Sequence, residues 1–93
     1  METGNNPIVL RCKSSTDANK LAGSINSAFQ DNPNKVVILR VIGAGALNQA
    51  VKASIISNKF FSRKGTHVLL NPSFQEADGE MTAIELKILL LST

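Results

Sequence analysis

The run "KVVILRVI" over residues 35–42 passes with no linker into "GAGALNQAVKA" over residues 43–53, and the hydrophobic pattern changes at the glycine pair. Before it, apolar and mostly β-branched residues follow one another almost without interruption. That is the pattern of a central strand covered on both faces or extending into an interface. After it, Leu47, Ala50, Val51, Ser54 and Ile55 recur at three- and four-residue steps, with Asn48, Lys52 and Lys59 elsewhere on the same helix. A strand that turns on glycines straight into an amphipathic helix is half of a strand-helix-strand unit. It constrains the chain to an alternating α/β arrangement.

The flanking segments supply the rest. "IVLRCKS" over 8–14 alternates Ile8, Leu10 and Cys12 with Val9, Arg11 and Lys13, a period of two that predicts a strand. Ser15 or Thr16 then caps a helix whose dipole Asp17 complements, with Ala18, Leu21, Ala22, Ile25, Ala28 and Phe29 on its apolar face. "DNPN" at 31–34 stops it, because proline cannot continue the helix. "SRKGT" closes the second helix. "THVLLNPSF" over 66–74 begins as a strand, and Pro72, which has no N–H for a ladder, assigns it to an edge or a bulge. Asp78-Gly79 marks a turn, and "MTAIELKILLL" alternates Thr82, Ile84, Leu86 and Ile88 with Ala83, Glu85 and Lys87, so the last two strands form a hairpin.

The expected order is βαβαββ, an α/β fold of the two-layer α+β sandwich kind. Right-handed crossovers put both helices on one face of a four-stranded mixed sheet and leave the other face bare. Cover for that face is expected from a second copy of the chain, as a homodimer or higher homo-oligomer. Residues 1–7 read as a flexible N-terminal tail and 8–93 as a single domain.

At 93 residues such a domain buries about 60 to 65% of its unfolded surface, a margin that self-association would improve. No apolar run reaches the length of a membrane span, and the start "METGNNPI" lacks the pattern of a secretory signal. Cys12 is the one cysteine and His67 the one histidine, too few for a disulfide or a zinc site. A cytoplasmic protein with no cofactor, no metal and no membrane partner is expected. Residues 11–64 hold nine basic side chains against Asp17 and Asp31, whereas from residue 65 Lys87 stands against Glu76, Asp78, Glu80 and Glu85. Such polarity steers a polyanion to one side of a molecule, unless folding disperses the charges into ordinary solvated positions.

The glycine turn excludes two familiar phosphate loops. After Gly43 there is no lysine or hydroxyl where a P-loop needs them, and Asn48 occupies the third glycine position of a dinucleotide fingerprint. Two readings stay open. Gly43 and Gly45 bring backbone amides to a phosphate, with Asn48 and Gln49 adding neutral amide groups, or they simply let a strand enter a closely packed helix. Further along, "NKFFSRKG" over 58–65 sets Lys59, Arg63 and Lys64 around Phe60 and Phe61. That mixture pairs charge with base stacking, or the two rings anchor the helix end in the core. Catalysis has little support: His67 adjoins an apolar run, and Cys12 lies on an alternating apolar face as a small core residue would.

"IGAGALNQAVKA" over 42–53, "DGEMTAIELKI" over 78–88 and the opening "VLRCKSSTDANKLAGSI" over 9–25 resemble the stage V sporulation protein S family, so the likeness spans nearly the whole chain. The resemblance implies an Alba-like fold of the same βαβαββ order. It also implies a role in bacterial development and dimeric binding of DNA or RNA. Alba-type contacts come from lysines after the first strand, a basic start of the second helix and the final hairpin tip. Here Lys13, with Arg11 before it, matches the first; Asn48 and Gln49 replace the second; Glu76, Asp78 and Glu80 invert the third.

The residues and the resemblance together give the expectation of a non-enzymatic nucleic-acid-binding protein that contacts phosphates with low sequence preference. Arg11, Lys13, Lys52, Lys59, Arg63 and Lys64 would supply charge, with Gly43, Gly45, Asn48 and Gln49 at the turn. The alternative is a protein-interaction or assembly module that regulates development or division without binding nucleic acid.

Overall fold

A computed structural model describes residues 6–75 and 83–92. The elements follow the expected order: β1 (Ile8–Cys12), α1 (Ala18–Asp31), β2 (Val37–Val41), α2 (Ala44–Ser62), β3 (Thr66–Gln75) and β4 (Ala83–Ser92). They form one mixed sheet of strand order β1-β2-β4-β3 with the two helices packed against it. β1 runs parallel to β2, while β4 is antiparallel to both β2 and β3. This is the two-layer architecture that the periodicity and the resemblance imply. β3 is an edge strand, where the ladder tolerates Pro72. The hairpin expected from Asp78-Gly79 is present as the β3–β4 pairing, but its acidic tip and the N-terminal residues 1–5 lie outside the described residues.

The core lies between helices and sheet. Val37, Leu39 and Val41 of β2 alternate inward and are fully buried with Ile25 of α1. Each such side chain contributes about 1.5–3 kcal/mol by leaving water. Ile38 and Arg40 point to the opposite face and are only half-buried, so β2 is covered on one face, not two, within this chain. α1 buries Leu21, Ala22, Ile25 and Ala28, as its spacing predicts. Its cap differs from expectation. Asp17 itself caps the helix, its carboxylate accepting from the amides of Asn19 at 2.8 Å and Lys20 at 3.2 Å. Thr16 instead accepts from the Lys13 amide through its hydroxyl at 2.8 Å.

α2 is rotated from the face that its large residues suggest. It buries Ala46, Ala50, Ala53, Ser54, Ser57 and Phe61, whereas Val51 and Ile55 are exposed, Ile55 by 53%. Small side chains let a helix axis come close to its neighbours, so the alanines face inward and the branched residues face out. Ser57 is completely buried and donates to the Asn26 side-chain oxygen at 2.6 Å, tying α2 to α1. At the far end the Phe61 ring meets Phe29 edge-on, with centroids 5.9 Å apart.

The entry to α2 explains its two glycines. Gly43 stands at φ 97° and ψ 156°, a region essentially restricted to glycine, and caps the helix without a side chain. At Gly45 a Cβ would lie 2.8 Å from the Ser14 Cβ, so only hydrogen fits between α2 and the chain leaving β1. Gly43→Ala is therefore expected to cost about 1–3 kcal/mol in urea denaturation through backbone strain. Ala50→Leu, which overfills the inward face, should cost about 1–3 kcal/mol. Val51→Thr on the exposed side should stay within about 0.5 kcal/mol in the same measurement.

Candidate nucleic-acid interface

The first two strands, being parallel, end on the same edge of the sheet, and ligands of α/β sheets commonly gather at such carboxyl ends. A hollow of about 430 Å³ opens there, lined by Arg11, Cys12, Lys13, Ser14, Arg40 and Ile42. Its cations come from two segments, the end of β1 and β2. Arg11 and Arg40 are register partners on neighbouring strands, both on the open face, and Lys13 follows as the chain leaves β1. Two like charges side by side on one sheet face repel. Glu85, the register partner of Arg40 on β4, relieves part of that repulsion. Its Oε2 accepts from Arg40 Nη2 at 3.0 Å and from Nε at 3.3 Å. Both partners remain partly exposed, 27% and 21% for their side chains, so the pair is solvent-screened, and the described lining of the hollow stays net positive.

The loop after β1 is held in place by its own bonds. The Lys13 amide donates to the Thr16 hydroxyl, and the Thr16 amide returns to the Lys13 carbonyl at 3.0 Å. From α2 the Gln49 side-chain amide donates to the Thr16 carbonyl at 2.7 Å. Gln49 thus clamps the loop, and Gly45 packs on it at Ser14. On the other side of this loop lies a wider hollow of about 620 Å³, with Thr16, Asp17, Gln49, Lys52 and Ile55 among its walls. It is the larger of the two, but one cation and one carboxylate, Lys52 and Asp17, line it together, whereas Arg11, Lys13 and Arg40 line the smaller one.

The sequence-expected residues therefore divide into two groups. Arg11 and Lys13 share the smaller hollow, and Gln49 and Lys52 lie across the loop from them. Gly43, Gly45 and the exposed Asn48 form the adjoining turn. Lys59, Arg63 and Lys64 stand apart, since Lys59 is about 24 Å along the helix axis from Gly43. Lys59 falls in the last turn of α2, where a cation complements the helix dipole. The Lys64 ammonium sits 4.6 Å from the centroid of the Phe60 ring, and Phe61 is buried. Arg40 joins the site unannounced: inside an apolar run it reads as a strand residue, and only its register with Arg11 shows that two cations converge.

Cys12 also reaches the hollow, but its thiol is occupied. It is buried and donates to the Ala46 carbonyl at 3.3 Å. Burial pushes its pKa up, against a smaller opposing pull from the Thr16 hydroxyl, so the thiol rather than the thiolate is favoured. His67 is exposed on β3, at the opposite edge of the sheet and at least about 14 Å away across three strand spacings. Among the described residues no three His, Cys, Asp or Glu side chains gather as a metal site requires. Among them, too, no helix is long and apolar enough to cross a membrane.

The glycine turn with its fixed loop and the βαβαββ sheet both fall within one family match. The family model described as Stage V sporulation protein S covers residues 8–90. That span runs from the first residue of β1 through all but the end of β4 and includes every residue of the basic hollow. The chain belongs to the Stage V sporulation protein S family, which gives it a sporulation-related role.

Proposed function

We propose that the protein binds nucleic acid non-enzymatically and as a homodimer in the cytoplasm, contacting phosphates with low sequence preference in the service of developmental regulation. The convergence of Arg11, Lys13 and Arg40 on one hollow carries this reading. Three cations from two segments of the chain meet there, with Glu85 the one carboxylate in contact among the described residues. Lys52, beyond the loop in the hollow that Asp17 also lines, would add a contact to a neighbouring phosphate. Backbone contacts of this kind position a polyanion without reading its bases. Among the described residues no aromatic ring lines the hollow, which fits weak sequence selection.

A second reading, a protein-interaction module, is favoured by the open sheet face. Leu69, Leu89 and Leu91 are exposed there, with Val36 and Ile42 at the ends of β2. A homodimer that covers this face leaves the two readings compatible, because the cations sit at one end of it and the leucines toward the other.

Fluorescence anisotropy with short single- and double-stranded DNA and RNA at two salt concentrations tests the proposal. Micromolar or tighter binding that weakens steeply with salt is expected, since each phosphate contact releases counterions. Lys13→Ala and Lys52→Ala should each weaken binding to every sequence alike and reduce the salt slope by about 1. An absence of binding at low salt would overturn the nucleic-acid reading in favour of the interaction module.

A further inference from the structure

We infer that the hollow between the ends of β1 and β2 selects a terminal phosphate, the phosphomonoester at the end of a nucleic-acid strand or on a nucleotide, over the internal phosphodiester. The inference rests on the phosphate-binding reading above and specifies which phosphate is taken. Three formal positive charges line or reach this hollow, and Glu85 offsets one of them through Arg40. The remainder matches the nearly doubly negative phosphomonoester, not the single charge of a diester. The Arg11–Arg40 adjacency is itself repulsive, so an anion set between them removes a cost already present in the free protein.

Geometry favours the same ligand. Arg40 directs Nε and one N–H of Nη2 to a single oxygen of Glu85, which leaves the rest of its guanidinium fork for an incoming phosphate. About 430 Å³ is within the range of small-ligand pockets and accommodates a terminal nucleotide. Ile42, 51% exposed on the hollow's wall, offers an apolar surface for the attached sugar or base. The loop bearing Lys13 and Ser14 is already fixed through Thr16 and Gln49, so little ordering is needed on binding.

The test compares one oligonucleotide sequence carrying a 5′-hydroxyl, a 5′-phosphate, a 5′-methylphosphate or a 3′-phosphate, with adenosine monophosphate and inorganic phosphate as competitors. The 5′ and 3′ arms distinguish which end is taken, and the competitors distinguish a strand end from a free nucleotide. A terminal phosphate should bind about five- to tenfold tighter than the hydroxyl. The methyl ester, which removes one charge with little change of shape, should lose most of that gain. Arg11→Gln, an exposed position outside the ion pair, should abolish the preference and also weaken binding of all four oligonucleotides, lowering the salt slope by about 1. Glu85→Gln, which removes the competing carboxylate, should tighten the terminal phosphate further. Equal affinity for all four oligonucleotides would overturn the selection of strand ends but leave the phosphate-backbone reading standing. A Glu85→Gln variant with weaker terminal-phosphate binding would overturn the charge argument. Failure of every oligonucleotide and competitor to bind would overturn both.

Discussion

Everything at the candidate site depends on how closely α2 lies on the rest of the fold. Ala46, Ala50 and Ala53 are essentially inaccessible, and Gly45 meets Ser14 with no room for a methyl group. This contact fixes the loop leaving β1, and the loop in turn fixes where Lys13 stands relative to Arg11 and Arg40. A helix held farther out by larger side chains would detach Gln49 from Thr16 and let the loop drift. Packing and recognition are thus one problem in this small domain. The same hydrogen-for-methyl economy that closes the core sets the spacing of the cations.

The sheet adds a second layer of organisation, through rungs rather than sequence neighbours. Arg11, Arg40 and Glu85 lie 29 and 45 residues apart in the chain, yet register places them side by side across three strands. One pair on that rung attracts and the other repels, so the arrangement is electrostatically incomplete in the free chain. Toward the other end of the same face the rungs carry Leu69 with Leu89, and His67 with Leu91. A single face therefore changes character along its strands, from charged to apolar, within about 20 Å of strand length.

Much of this was legible in the sequence. Period-two alternation located β1, the glycine turn located the start of α2, and Pro72 marked β3 as an edge. The buried face of α2 is not the one its spacing suggests, because hydrophobicity alone ranks Val51 and Ile55 above alanine, whereas close packing prefers the smaller residue. The sequence offers Asp17 as a charge near the helix dipole, and in the structure it is the cap itself, because the helix begins one residue later than the Thr16 hydroxyl implies. Arg40 was missed for a different reason. Its importance arises only from strand order, which no local pattern encodes. Lys59, Arg63 and Lys64, conversely, join the expected site by charge and by their nearness to Phe60 and Phe61, and the length of α2 sets them apart from the hollow.

The outer position of β1 gives its basic residues a further meaning. A strand at the end of a sheet offers unpaired backbone groups to any other strand that meets it, and proteins commonly protect such edges with brevity and charge. β1 has five residues, bears Arg11 and is followed at once by Lys13, while the opposite edge carries Pro72. The charge of Arg11 and Lys13 is thus also of the kind that discourages a neighbouring strand from extending the sheet. Replacement of these side chains by apolar ones would therefore change two things at once, the charge of the hollow and the protection of the edge. Their retention in a lineage would not by itself reveal which of the two had been selected.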